Sequence, residues 1–170
     1  MTRTLPAALA LCLAALPAAA EPVSMVAPAV VDQTTAFIDA FGVAIDADGD
    51  HRISAREMDL AGNDIFASMD VDGDGFLTAP EMTGWEHGFG ELALFRGRRV
   101  EFETAVTDVF DLMDSDGDGR VDPAEHARGL DLARRLGDRD GDGMLSLTEF
   151  REDFLVVTAL RRGVGSDAGY

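Results

Sequence analysis

Asp46, Asp48, Asp50 and Glu57 stand at positions 1, 3, 5 and 12 of a twelve-residue stretch. The same offsets recur at Asp70, Asp72, Asp74 and Glu81, at Asp114, Asp116, Asp118 and Glu125, and at Asp138, Asp140, Asp142 and Glu149. Four carboxylates gathered this closely repel, each near pair by about 4 kcal/mol at an effective dielectric near 20. A cation removes that cost. The stretches hold four, four, five and four acidic residues, seventeen of the 32 in the chain, so the acidity is placed and is not a general solvated surface.

The oxygen count names the ion. Calcium takes six to eight oxygens, and a loop of this kind supplies side chains at positions 1, 3 and 5, a backbone carbonyl at 7, often a water held by 9, and both oxygens of a glutamate at 12. Position 7 is Arg52, Phe76, Arg120 and Met144, each offering its carbonyl, and position 9 is Ser54, Thr78, Asp122 and Ser146. Magnesium demands a tighter octahedral shell, and a bidentate glutamate favours the larger ion. Zinc prefers histidine and cysteine; His51, His87 and His126 form no group in the sequence and read as surface or capping residues.

Three loops carry glycine at position 6, where the turn needs positive φ, but loop one carries His51. Left-handed backbone costs a non-glycine residue roughly 1–2 kcal/mol, so the expectation is a weakened first site. Position 8 is apolar every time (Ile53, Leu77, Val121, Leu145) and is expected to pair loops and pack beneath them.

On these motifs the chain resembles the EF-hand superfamily, in particular four-handed members of the calmodulin type and, more closely, exported bacterial proteins with closely spaced hands. The resemblance covers roughly residues 32–160. It implies an all-α fold of helix-loop-helix hands with minimal β pairing between loops, binding Ca2+ through the positions named above. The 24-residue spacing departs from the calmodulin arrangement, so the resemblance does not carry over calmodulin's partners.

Helices must hold these loops. The loops open at 46, 70, 114 and 138, two pairs joined by a longer segment. Asp32 and the apolar set Thr35, Phe37, Ile38, Phe41 and Ile45 predict an entering helix. Val100, Phe102, Val106, Val109, Phe110 and Met113 predict the helix entering loop three, after a hinge around Gly88–Arg99. A last helix is expected from near Leu147, fading at Arg161. Only twelve residues, 58–69 and 126–137, connect loops one and two and loops three and four. An unbroken helix there would span roughly 18 Å and hold its two loops at opposite ends. Gly62-Asn63 and Gly129 favour instead a break that lets loop one zip to loop two and loop three to loop four. The resulting organisation is a signal peptide at 1–20, a flexible leader at 21–31, hand pairs at 32–90 and 91–160, and a flexible tail at 161–170.

Arg3, the apolar run Leu5–Leu16 and Ala18-Ala19-Ala20 have the three regions of a secretory signal cleaved after Ala20. Twelve apolar residues are too few to span a bilayer, so no membrane insertion is expected after cleavage. The processed chain would have no cysteine and a formal charge of −19, with every basic residue an arginine. Such a surface excludes nucleic acid as a partner and favours cations. No serine, histidine and acid constellation stands apart from the loops, so no catalysis is expected. The sequence thus reads as a periplasmic or secreted calcium buffer or structural module. The alternative is a sensor that binds an unidentified protein partner through Met58, Met69, Met82 and Met113 with Phe66, Trp85, Phe89 and Phe110.

Overall fold

Helices carry about two thirds of the described backbone, and their order is set by where the acidic loops interrupt apolar periodicity. The computed structural model describes residues 33–85 and 89–165, which fall in one compact unit. The signal, the leader, Asp32, His87, Gly88 and residues 166–170 lie outside the described residues. The chain runs α1 (Gln33–Ile45), β1 (Arg52–Ile53), α2 (Ala55–Met69), α3 (Ala79–Gly84), α4 (Phe89–Phe95), α5 (Arg99–Met113), α6 (Pro123–Gly137), β2 (Leu145–Ser146), α7 (Leu147–Glu152) and α8 (Leu155–Val164). This is the all-α architecture read from the sequence. No helix among the described residues is long and apolar enough to cross a membrane.

Both twelve-residue connectors lie within unbroken helices, α2 and α6, and this corrects the expected break. Gly62 and Gly129 are there for close approach. A Cβ on Gly62 would stand 2.6 Å from Leu130 Cδ1, and one on Gly129 2.8 Å from Met113 Cγ. Each helix of 15 residues is about 22 Å long, so the loops at its two ends cannot touch one another.

The loops pair across the chain instead. β1 and β2 are antiparallel with Arg52 opposite Ser146 and Ile53 opposite Leu145, joining loop one to loop four. Loop two meets loop three through the bridge Leu77–Val121, closed by Leu77 N to Val121 O at 2.8 Å and Val121 N to Leu77 O at 2.9 Å. The expected pairing of one with two and three with four is thereby overturned, because a continuous helix separates each of those loops from its neighbour. Position 8 keeps its expected role: Ile53, Leu77, Val121 and Leu145 are all completely buried. With loop one beside loop four and loop two beside loop three, α2 and α6 run antiparallel and pack on each other, Phe66 meeting the His126 ring edge-on at 5.5 Å.

His126 is therefore neither a surface nor a capping residue. It is 4% exposed, and burial drops its imidazole to about 4, so it is neutral at pH 7. Three further boundaries differ from the sequence reading. The expected hinge region contains α4, with a turn at Arg96-Gly97 before α5. The last helix is broken at Asp153-Phe154, where Phe154 turns inward to stack on Phe150 at 5.3 Å. Beyond Arg161, α8 continues to Val164, which is fully buried.

The end of α8 is fastened. Arg98 donates to the carbonyls of Gly163 at 3.1 Å and Arg162 at 3.3 Å, and Arg96 donates to Thr34 Oγ1 at 2.9 Å and to the Gly165 carbonyl. These contacts satisfy carbonyls that a helix end leaves open. A Cβ on Gly163 would lie 2.9 Å from Phe102 Cα and 3.1 Å from Glu101 O, so the α5 backbone itself blocks a larger residue. Gly163→Ala is expected to cost about 1–3 kcal/mol through forced separation of α5 and α8. Gly84→Ala, where a Cβ meets nothing within 4 Å, is expected to be neutral or slightly stabilising. Denaturant melts of the two variants against the parent check the contrast.

Candidate metal centres

Each acidic loop is also the start of the helix that leaves it. Position 9 is the N-cap and position 12 is the third helical residue, and all four loops close a reciprocal capping box. The glutamate amide donates to Ser54 Oγ at 3.3 Å, Thr78 Oγ1 at 3.4 Å, Asp122 Oδ1 at 2.7 Å and Ser146 Oγ at 3.2 Å. In return Oε2 of Glu57, Glu81, Glu125 and Glu149 accepts the position-9 amide at 2.9, 2.9, 3.0 and 2.8 Å. The other glutamate oxygen reaches back over the loop and accepts the position-2 amides of Ala47, Val71, Ser115 and Arg139. Pro80 and Pro123 sit in the first turn of α3 and α6, where a missing N–H is harmless.

The opening aspartate organises the other half of the loop. Oδ2 of Asp46, Asp70, Asp114 and Asp138 accepts the position-6 amide at 2.9, 3.0, 2.9 and 2.9 Å. Oδ1 of the position-5 aspartates Asp50, Asp74, Asp118 and Asp142 accepts the position-7 amides of Arg52, Phe76, Arg120 and Met144 at 2.8 to 2.9 Å. Backbone N–H groups thus hold the carboxylates in a tight turn.

Carboxylate oxygens converge in every loop. Asp46, Asp48 and Glu57 bring ligand atoms within 4.8 Å of one another, as do Asp70, Asp72 and Glu81, Asp114, Asp116 and Asp118, and Asp138, Asp140 and Glu149. Asp50, Asp74, Asp142 and Glu125 stand outside these tight groups. Hydrogen bonding keeps the four glutamates ionised, each below the usual carboxylate range. The main cause is the Ser54 amide at Glu57, the Thr78 hydroxyl at Glu81 and the Asp122 amide at Glu125. At Glu149 burial is the largest single influence and pushes upward, but the Ser146 amide and hydroxyl with the Arg139 and Asp140 amides together outweigh it.

The capping function of Ser54, Thr78, Asp122 and Ser146 was missed in the sequence, where position 9 read only as a water holder. Its signal was present as S/T/D-x-x-E immediately before an exiting helix. Also unforeseen are two crossings between loops. Arg52 pairs with Asp142 of loop four, and Arg120 reaches Asp74 of loop two at 3.4 Å with its guanidinium 5.3 Å from the Phe76 ring centroid.

A family model described as EF hand matches residues 63–83, 106–125 and 135–155, the segments that contain loops two, three and four. The chain carries EF hands. No curated protein matches it. Loop one lies outside the matched segments, and it is the loop in which this EF-hand chain puts His51 where the others have glycine. His51 has φ of 65°, in the left-handed region, beside 85°, 82° and 88° for Gly75, Gly119 and Gly143. The histidine thus adopts the turn at a conformational cost and still donates its amide to Asp46.

Relieving that cost should strengthen loop one. His51→Gly is expected to raise the affinity of one calcium site by up to about tenfold, since 1.4 kcal/mol is a factor of ten. Isothermal titration with calcium checks it, and an unchanged isotherm would show that backbone strain does not limit this loop.

Proposed function

We propose that this chain binds up to four calcium ions through loops 46–57, 70–81, 114–125 and 138–149, as an exported, non-catalytic calcium buffer or structural module. The observation that carries the reading is the fourfold repetition of one arrangement, in which a position-12 glutamate folds over an aspartate-lined turn with both oxygens directed into the loop. The proposed ligands are the side chains of Asp46, Asp48, Asp50 and Glu57, of Asp70, Asp72, Asp74 and Glu81, of Asp114, Asp116, Asp118 and Glu125, and of Asp138, Asp140, Asp142 and Glu149. The carbonyls of Arg52, Phe76, Arg120 and Met144 complete the set. Oxygen donors alone at each loop suit a hard cation, and calcium bound there would supply the charge that the clustered carboxylates lack. Export rests on the 1–20 signal and places the processed chain in the periplasm or outside the cell.

Where the methionines lie says what a sensor would have to change. Met58, Met69, Met82 and Met113 are each at most 8% exposed, and Phe66, Phe89 and Phe110 are buried with them. These residues form core in this conformation, where a sensor would present them to a partner. Several of them, with the half-buried Trp85, border an apolar cavity of about 130 Å3 between the hands. Widening of that space on calcium binding is what the sensor reading requires.

Ion binding and folding should be coupled. A site held at a hundred times its dissociation constant adds about 2.7 kcal/mol to the folded state. Adding calcium to chelated protein is expected to raise the melting temperature strongly, and calorimetry is expected to count three or four sites. Glu81→Gln and Glu149→Gln should each remove one site from that count. Equal melts with and without calcium would sink the coupling. A dye for exposed apolar surface should bind equally in both states; calcium-dependent binding would favour the sensor.

A further inference from the structure

Two arginines cross between paired loops at equivalent places. Position 7 of loop one, Arg52, contacts Oδ2 of Asp142 at position 5 of loop four; position 7 of loop three, Arg120, contacts Oδ2 of Asp74 at position 5 of loop two. Both loop pairs join antiparallel at position 8, so position 7 of loop one faces position 9 of loop four, and the long arginine side chain reaches from there to position 5. In both aspartates Oδ1 is already taken by the amide of its own loop's position 7, Met144 N and Phe76 N at 2.9 Å. Both oxygens of each side chain are therefore engaged by donors.

The ligand groups differ at the same position. Asp74 and Asp142 lie outside the tight clusters of their own loops, whereas Asp118, which meets no arginine guanidinium among the described residues, joins Asp114 and Asp116. Asp50 is outside as well, in the loop that carries His51. Arg56, at position 11 of loop one, makes no ion pair among the described residues and is a charge in the same loop that does not cross.

We propose that Arg52 and Arg120 are affinity-setting residues that act on the opposite loop, Arg52 on the calcium site of loop four and Arg120 on that of loop two. This rests on the calcium reading above. A bound ion must share the position-5 carboxylate with the guanidinium or displace it, and a fixed positive charge beside the site repels a doubly charged ion. The arginine's own carbonyl remains a ligand of the loop that carries it. One residue thus contributes an oxygen to its own site and a competing charge to the neighbouring one.

A site-by-site readout is built into the loops, because the position-6 amides of Gly75, Gly119 and Gly143 bond to the opening aspartates. Calcium titration of the full processed chain, followed at these amides by nitrogen-proton NMR, gives a midpoint for each loop. Arg52→Gln is expected to lower the midpoint at Gly143 by up to about fivefold and leave Gly75 unmoved; Arg120→Gln is expected to do the reverse. Raising the salt should narrow both differences, since exposed charges are screened. Arg56→Gln controls for deleting a charge from the same loop. The inference is overturned if the parent titrates but neither variant shifts its opposite loop, if either variant shifts all loops alike, or if Arg56→Gln matches Arg52→Gln at Gly143. Parent amides that ignore calcium would instead bring down the calcium reading, and this inference with it.

Discussion

A glutamate placed twelve residues after the opening aspartate is also the third residue of the outgoing helix, and from that double position its carboxylate ties loop to helix. One oxygen returns to the N-cap amide and the other crosses to position 2, so the negative end of the glutamate lies at the helix N-terminus, where the backbone dipole favours it. Loop shape and helix start are one cooperative unit, with a cap of this kind contributing about 1 kcal/mol. Everything else is arranged around these units. The aspartates are held by the same turn of backbone, and the apolar position-8 residue is delivered beneath it.

Rigid helices then decide which units meet. α2 and α6 each begin at one loop and end at another, so each acts as a spacer. Apolar burial of Ile53, Leu77, Val121 and Leu145 is satisfied only when the two spacers lie antiparallel and the loops join from opposite halves of the chain. Small residues allow that packing. Gly62 admits Leu130, Gly129 admits Met113, and Gly163 lets α8 cross on the α5 backbone. A sequence that puts glycine inside amphipathic helices accepts a lower intrinsic helix propensity, up to about 1 kcal/mol per site, in exchange for contact area between helices.

The site was far more legible than the packing. Aspartates at fixed offsets, the position-8 apolar residue and the unusual His51 are local features of a twelve-residue stretch; the position-8 residues are buried and His51 takes the left-handed turn, while Asp50, Asp74, Asp142 and Glu125 stand outside the tight carboxylate groups. The partner of each loop was not local. Gly62 and Gly129 looked like helix ends because glycine is ambiguous between breaking a helix and permitting another to approach, and only the opposing Leu130 or Met113 side chain decides. His126 went unrecognised as core for a similar reason: its burial depends on Phe66, sixty residues earlier. The break at Asp153-Phe154 is driven by the inward turn of Phe154, which periodicity cannot show. Arg52 and Arg120 read as mere carbonyl donors, since the aspartates they reach belong to distant loops.

The pairing is nested like brackets, with loops two and three inside and loops one and four outside. Leu77 and Val121 are 44 residues apart in the chain, and Ile53 and Leu145 are 92. During synthesis the inner bracket has both members once residue 125 is made, but the outer one waits for residue 149, the far edge of the last loop. Cutting the chain midway would therefore yield two fragments that each hold two bereaved loops with a bared apolar residue apiece. The smallest piece able to close on itself is the central stretch from α2 to α6, and the smallest complete one is nearly the whole chain.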